Sequence, residues 1–267
     1  MASVSTTMPA VTFTRPSPFR ICLKEAKYEF LKCLRIPMYS VSTMLFPLMF
    51  YVLFGLVMGR QMIGSVRSTV YLIPAYGTFG VMGASLFGTA ATLASDRGLG
   101  WLQAKKASPM PIYAYFLAKL VMSVIFSTVD VLALLALGIA FGGVHLAPVA
   151  AAKLVLTLIA GSLPFCAMGL AIGYFAGPTS APAVINIFYL PMSFCSGLWM
   201  PFMFLPKFIQ KVAVFLPPFH LSQLAFQQVG AGQGASNLVH WESLLGFALV
   251  CLGVAWLGHR RDEKAQG

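Results

Sequence analysis

The chain has 267 residues, 58% of them hydrophobic and only 9% charged, with a mean hydropathy of +0.82. Soluble domains carry about 25% charged residues, so an ordinary soluble globule is excluded and one membrane domain is expected, with nothing left for a separate soluble domain. The net charge of +11, from 18 Lys and Arg against 7 Asp and Glu, would suggest nucleic acid in a soluble protein. In a membrane protein basic residues hold loops on the cytoplasmic side, and no nucleic-acid partner is expected.

Residues 1–18 are polar and rich in Pro, Ser and Thr, with no apolar core. They read as a disordered tail, not as a signal peptide. Over 19–36, Phe19, Leu23, Ala26, Phe30 and Leu34 recur at steps of three and four, while Arg20, Lys24, Lys27, Lys32 and Arg35 lie largely off that stripe. A basic amphipathic helix in the plane of the headgroups is expected, ended by Pro37. Two readings stay open for it, a membrane anchor and a contact with a cytoplasmic partner.

Charge gaps place the membrane spans. No charge occurs over 36–59 or over 68–95, and each gap holds one helix of about 20 residues. Span 1 is expected near 39–58 and span 2 near 70–94. Span 3, near 113–141, contains Lys119 and Asp130. The next gap, 154–206, has room for two helices, and Gly177-Pro178 with Pro182 supplies a turn inside it. Span 4 is expected near 150–175 and span 5 near 181–199. Between Trp199 and Val239 the chain is broken by Pro201, Pro206, Pro217 and Pro218 and then turns polar. Two short re-entrant helices, near 206–216 and 218–229, fit that pattern, and span 6 follows near 240–258. The fold class expected is therefore all-α integral membrane: six transmembrane helices, an N-terminal amphipathic interfacial helix, and re-entrant external helices between spans 5 and 6.

Six spans put both termini on one side. Twelve Lys and Arg fall on that side and five on the other, with Lys119 inside span 3. The positive-inside rule then makes both termini and the 95–112 loop cytoplasmic. The first external loop, Gly59–Thr69, is too short to carry a large outer domain.

Catalytic signals are poor. The sequence has no G-x-x-x-x-G-K-[ST], no H-E-x-x-H and no G-x-S-x-G. No catalytic, cofactor or metal-ligating residue is expected. The four histidines are scattered, and Cys22, Cys33, Cys166, Cys195 and Cys251 show no metal-ligand spacing. Asp130 is the one acid in mid-span. Such a residue faces a cavity, is satisfied by neighbouring polar groups, or meets another subunit. Lys119 lies eleven residues earlier, about 16 Å along the helix and too far for a salt bridge. A proton-coupled carrier using Asp130 is the alternative functional reading. Span 2 is crowded with Gly77, Gly80, Gly83, Ala84, Ser85 and Gly88, which suits close helix packing or a subunit interface. The 14 Met and 22 Phe suit either lipid contact or an adaptable apolar path.

The polar stretch Ser95–Pro109 is the best clue to function. Asp96-Arg97, Gly100, Leu102 and Ser108-Pro109 resemble the cytoplasmic loop of permeases of the second ABC exporter class, the ABC type 2 membrane family. Ser196-Gly197, Pro201, Leu205-Pro206 and Leu216-Pro217 resemble that family's signature after span 5. The resemblance covers nearly the whole chain beyond residue 18. It implies a permease domain over 19–260 followed by a basic cytoplasmic tail over 261–267. It implies a second permease subunit, as homodimer or heterodimer, and a separate ABC ATP-binding subunit that binds ATP and Mg, so that this chain holds no cofactor and is not itself an enzyme. The prokaryotic inner membrane is the expected location. Export of a drug, lipid or lipid-linked glycan is the expected work. The resemblance makes Asp96, Arg97, Gly100, Trp101, Leu102, Lys105, Ser108 and Pro109 an ATPase-coupling loop, and Ser196, Gly197, Pro201, Pro206 and Pro217 an external re-entrant segment. Trp101 and Lys105 depart from the family's common pattern. Asp96 and Ser95 are expected to cap a short helix through Trp101 and Leu102. Without the resemblance, the loop also reads as a plain basic anchor of topology.

Overall fold

A computed structural model describes residues 17–35, 37–57, 61–63, 66–107, 112–232 and 236–266. Nearly all of the expected tail, together with Ser108 and Pro109, lies outside the described residues. Among the described residues, four helical segments are long and apolar enough to cross a membrane: Ser68–Gly98, Tyr113–Phe141, Pro148–Phe175 and Asn237–Lys264. Thr43–Val57 and Ala181–Cys195 are shorter apolar helices. All six fall where the charge gaps place spans. The only strands among the described residues are β1 (Met62–Ile63) and β2 (Val66–Arg67), an antiparallel hairpin with Met62 opposite Arg67, in the expected first external loop.

Helix α1 (Pro18–Leu34) starts on a proline whose fixed φ suits the first helical position. It packs along α6 (Ile112–Phe141), where Phe30 meets Phe126 at 5.7 Å between ring centroids. Its orientation is unexpected. Phe19, Leu23 and Leu34 of the apolar stripe are exposed, whereas Glu29 and Cys33 are buried. The helix turns Phe19, Leu23 and Leu34 outward, as a helix lying against lipid would, and Phe30 and a line of acids inward.

After α2 (Pro37–Phe50), which contains Pro47, the chain widens into a π-helical stretch over Tyr51–Val57. The most buried rod of the molecule follows: α3 (Ser68–Leu86), a π-helical turn (Phe87–Ala91) and α4 (Thr92–Gly98). Its small residues explain why it is central. Gly77 faces Leu158, Gly80 faces Asp130 and Gly83 faces Tyr189, each so close that an added Cβ would lie 2.8 Å or less from the neighbour. Three different helices thus approach one rod. The glycines of span 2 serve packing within the chain.

Gly100, at φ +74°, turns the chain into the short helix α5 (Trp101–Ala107). Span 4 is kinked, with α7 (Pro148–Ala160) and α8 (Ser162–Phe175) meeting at Gly161. The turn expected near Gly177 is present, and the Gly177 N–H donates to Ser180 Oγ at 3.0 Å. Helix α9 (Ala181–Cys195) ends four residues earlier than expected for span 5. Gly197 takes φ +75° there, and the Trp199 indole N–H donates back to Ser193 Oγ at 3.0 Å. Two short helices follow as expected, α10 (Lys207–Ala213) and α11 (Pro217–Gln228). Helix α12 (Asn237–Gln266) is longer than span 6. The described part of 261–267 forms the last turns of α12 and packs on α4 through Asp262.

Candidate functional site: an ion-pair cluster beneath a polar turn

Where α4 ends, four elements converge and bring three lysines against three acids. The Lys119 side chain on α6 is fully buried. Its ammonium donates to Thr92 Oγ1 at 2.7 Å and lies 3.2 Å from Asp96 Oδ2 and 3.5 Å from Glu29 Oε2. Lys32 of α1 reaches Asp96 Oδ1 at 2.5 Å and Glu29 Oε1 at 4.0 Å. Lys105 of α5 pairs with Glu25 of α1 and lies 3.5 Å from Glu29 Oε1. The Tyr115 hydroxyl donates to Asp96 Oδ2 at 2.8 Å, and Lys105 and Lys119 each stand 4.6 Å from the Tyr115 ring centroid. The charges sum to zero. That balance is what permits so many ions at low solvent exposure.

The neighbourhood acts on α1 as well. Burial lowers the Lys32 pKa, but the Glu29 and Asp96 carboxylates outweigh it, and the net direction is above the usual 10.5. Burial, helped by Glu29, pushes the Cys33 thiol up to about 12, so Cys33 is a packing residue and not a nucleophile.

A second fastening lies on the other side of α4. Arg97 grips Asp262 of α12 with two nitrogens, at 2.5 and 2.6 Å, and donates to the Gly173 carbonyl of α8 at 2.8 Å. Asp96 and Arg97 therefore point in opposite directions into the protein. Neither faces out, and Asp96 does not cap α5: Ser95 and Asp96 sit in the last turns of α4, which continues to Gly98. Leu102 is buried against Leu93, Tyr115 and Tyr174. The turn presents Leu99, 68% exposed, and Trp101, 58% exposed. A cleft of about 470 Å³ opens beside them, lined by Tyr28, Lys32, Leu99, Trp101 and Lys105.

Of the residues expected in the coupling loop, the structure unites Asp96 and Lys105 with Lys119, which was expected as an isolated intramembrane charge. It sets Arg97 apart. Glu25, Glu29, Lys32 and Tyr115 complete the cluster unforeseen. The sequence offered one weak sign, two acids four residues apart in an otherwise basic helix. Asp130 does not join, and among the described residues it has no hydrogen-bond partner.

The external-segment residues gather at the far end of α9. Ser196 is buried, and Gly197 lies so close to Phe202 that a Cβ there would sit 3.2 Å from its Cα. Pro201 precedes a short turn at Phe202–Phe204, Pro206 precedes α10, and Pro217 begins α11. These prolines start helices, where a missing N–H costs nothing. Burial pushes the His220 imidazole of α11 below 6.5, against a smaller upward pull from its bond to the Val214 carbonyl.

Apolar spans stapled at one end by a neutral ion cluster define a polytopic helical membrane protein with a rigid, polar terminal face. The family model for ABC-2 type transporters matches residues 22–227, and the chain belongs to that family. A protein of Bacillus subtilis (strain 168) named as a transport permease, YvfS, is 23% identical over 222 residues, covering 83% of this chain and 89% of that protein.

Proposed function

We propose that this chain is the membrane subunit of an ATP-driven exporter that moves an apolar or amphipathic substrate, such as a drug, a lipid or a lipid-linked glycan, out of a prokaryotic cytoplasm. In this reading six segments cross the inner membrane, both termini are cytoplasmic, and α10 and α11 re-enter from outside. A second permease subunit completes the path, and a separate ATPase subunit binds ATP and Mg and does the hydrolysis.

The observation that carries the reading is the turn between α4 and α5. It holds an exposed Leu99 and Trp101 at the rim of a cleft, on a base fastened to α1, α6 and α12 by ion pairs and to α8 by the Arg97–Gly173 hydrogen bond. An exposed aromatic anchor beside a cleft is what a partner surface uses. A base that cannot slip passes a push on that anchor into the spans. In the proton-coupled alternative Asp130 would act with Lys119, but Lys119 is engaged by Asp96 and Glu29 at 3.2 and 3.5 Å. That ranks the carrier second.

The test is purification of the full chain from its native membranes. An ATPase subunit should come with it, and Trp101→Ala should reduce the recovered ATPase about tenfold, the effect of a hot-spot aromatic worth ~1.4 kcal/mol or more, with the elution profile unchanged. Normal transport by the purified chain with no ATPase present would overturn the proposal.

A further inference from the structure

Midway along α6, Asp130 is 1% exposed, and among the described residues neither carboxylate oxygen has a hydrogen-bond partner. Ser127, one turn earlier, is fully buried with its hydroxyl equally unpartnered. The carboxylate is nonetheless well seated. Gly80 makes room for it, since a Cβ there would lie 1.7 Å from Oδ2, and Pro47 of α2 closes on the same glycine. Tyr189 of α9 is within electrostatic reach of Asp130, but its hydroxyl donates to the Phe79 carbonyl at 3.2 Å. The neighbouring helices thus shape a place for Asp130 and, among the described residues, offer it no donor.

A row of aromatic rings leads away from Tyr189. Phe79 stacks on Tyr189 with centroids 4.7 Å apart and meets Trp199 edge-on at 5.8 Å. Phe50 lies 5.0 Å from Trp199 and 6.2 Å from Tyr76. Phe50 and Trp199 are half-buried, and exposed Phe46 of α2 and Phe54 of the π-helical stretch extend the row.

A carboxylate without a counter-charge in an apolar interior is expensive. The other charge on α6, Lys119, is already occupied at the terminal end. Aromatic faces attract cations, most strongly when desolvated. A carboxylate, an adjacent free hydroxyl and a row of aromatic faces together suit one ligand chemistry. We propose that Asp130, Ser127 and the Phe50–Phe79–Tyr189–Trp199 row form a recognition site for an amphipathic organic cation, its ammonium group at Asp130 and its apolar body along the rings. The proposal rests on the permease reading and narrows its substrate class. Entry requires α2 and α9 to part from α3. Both carry an internal proline, Pro47 and Pro191, and α2 runs into a π-helical stretch, the features at which helices bend.

The experiment measures radiolabelled dodecylamine binding to the full chain in phosphatidylcholine nanodiscs at pH 7, with empty nanodiscs subtracted and dodecanol as the uncharged competitor. Saturable binding that dodecanol does not displace is expected, weakened at least tenfold by Asp130→Asn and several-fold by Trp199→Leu. Equal displacement by dodecanol, or wild-type binding by Asp130→Asn, overturns the proposal. If Asp130→Asn does not fold, wild-type binding by Trp199→Leu overturns it instead. No ATPase is needed in this assay. Failure to bind leaves the ATPase-driven reading standing, and absence of an ATPase partner leaves a positive binding result standing.

Discussion

Lys119 has the most demanding environment of any single residue here. It is fully buried and answers to Thr92, Asp96, Glu29 and the Tyr115 ring. Removing it would leave three acids facing two lysines, Lys32 and Lys105, at the least exposed point of the cluster. Lys119→Met should cost about 3–5 kcal/mol, the usual penalty for breaking one side of a buried pair. Adding Asp96→Asn should return part of that loss, giving a coupling energy of about 1–3 kcal/mol in a double-mutant cycle. Unfolding in mild detergent measures both. Arg97→Lys tests the second fastening: an ammonium cannot reproduce the two-nitrogen grip on Asp262 together with the Gly173 contact, and a loss of about 1–2 kcal/mol is expected. Only half of this was legible beforehand. A lysine inside an apolar span announces itself. Its partners do not, because Glu29 lies on a helix whose other charges are nearly all basic, and Asp96 stands where a charge reads as the end of a span. In the structure the helix runs past Asp96 to Gly98, which turns a supposed loop residue into a buried one.

At the scale of elements, Gly80 and Gly83 of α3 differ from Gly246 and Gly253 of α12. Gly80 and Gly83 have neighbours within 2.8 Å of an added Cβ, while Gly246 and Gly253 have open space. Gly83→Ala should therefore overpack the α3–α9 contact and cost about 1–3 kcal/mol. Gly246→Ala should be neutral or stabilise by up to about 1 kcal/mol through helix propensity. A pair of thermal unfolding curves decides it, and similar midpoints for the two variants would refute the packing argument. Most of the apolar helices were readable because charge is so costly in a span that its absence marks one; α6 was readable from its length and hydropathy despite Lys119 and Asp130. The kink at Gly161 was not readable. It arises where Leu221 of α11 comes within 2.1 Å of the position a Cβ would take, a contact between segments that no local pattern encodes. The inward turn of the acids on α1 escaped for a similar reason. Helical periodicity gives the faces of a helix but not which of them meets protein and which meets lipid.

At the scale of the molecule, the two ends are held by opposite chemistry, and pH should separate them. The terminal end is ionic. Lys32 has its pKa raised above 10.5, so its contribution is complete below 10.5 and is lost only as pH rises through the higher folded value. At the far end a pair of neutral histidines links α11 to α12. His220 and His240 face each other with Nδ1 atoms 2.9 Å apart, and His220 Nε2 lies 2.8 Å from the Val214 carbonyl oxygen. A carbonyl only accepts, so His220 must donate through Nε2. Its Nδ1 then accepts the proton of His240 Nδ1, and a protonated His220 would press a second N–H into that gap. Because burial lowers the His220 pKa from 6.5, its contribution is complete above 6.5 and is lost as pH falls from there through the folded value. The thermal midpoint of the full chain in detergent should therefore fall from pH 7 to pH 5. His220→Gln, which keeps a side-chain N–H but cannot take up a proton in this range, should flatten that fall. Lys32→Met should leave the acid limb in place and act instead on the plateau near neutral pH, where it strips Asp96 of its 2.5 Å partner. A variant at His220 that reproduced the wild-type acid limb would show that the far end is not held by the neutral histidine pair.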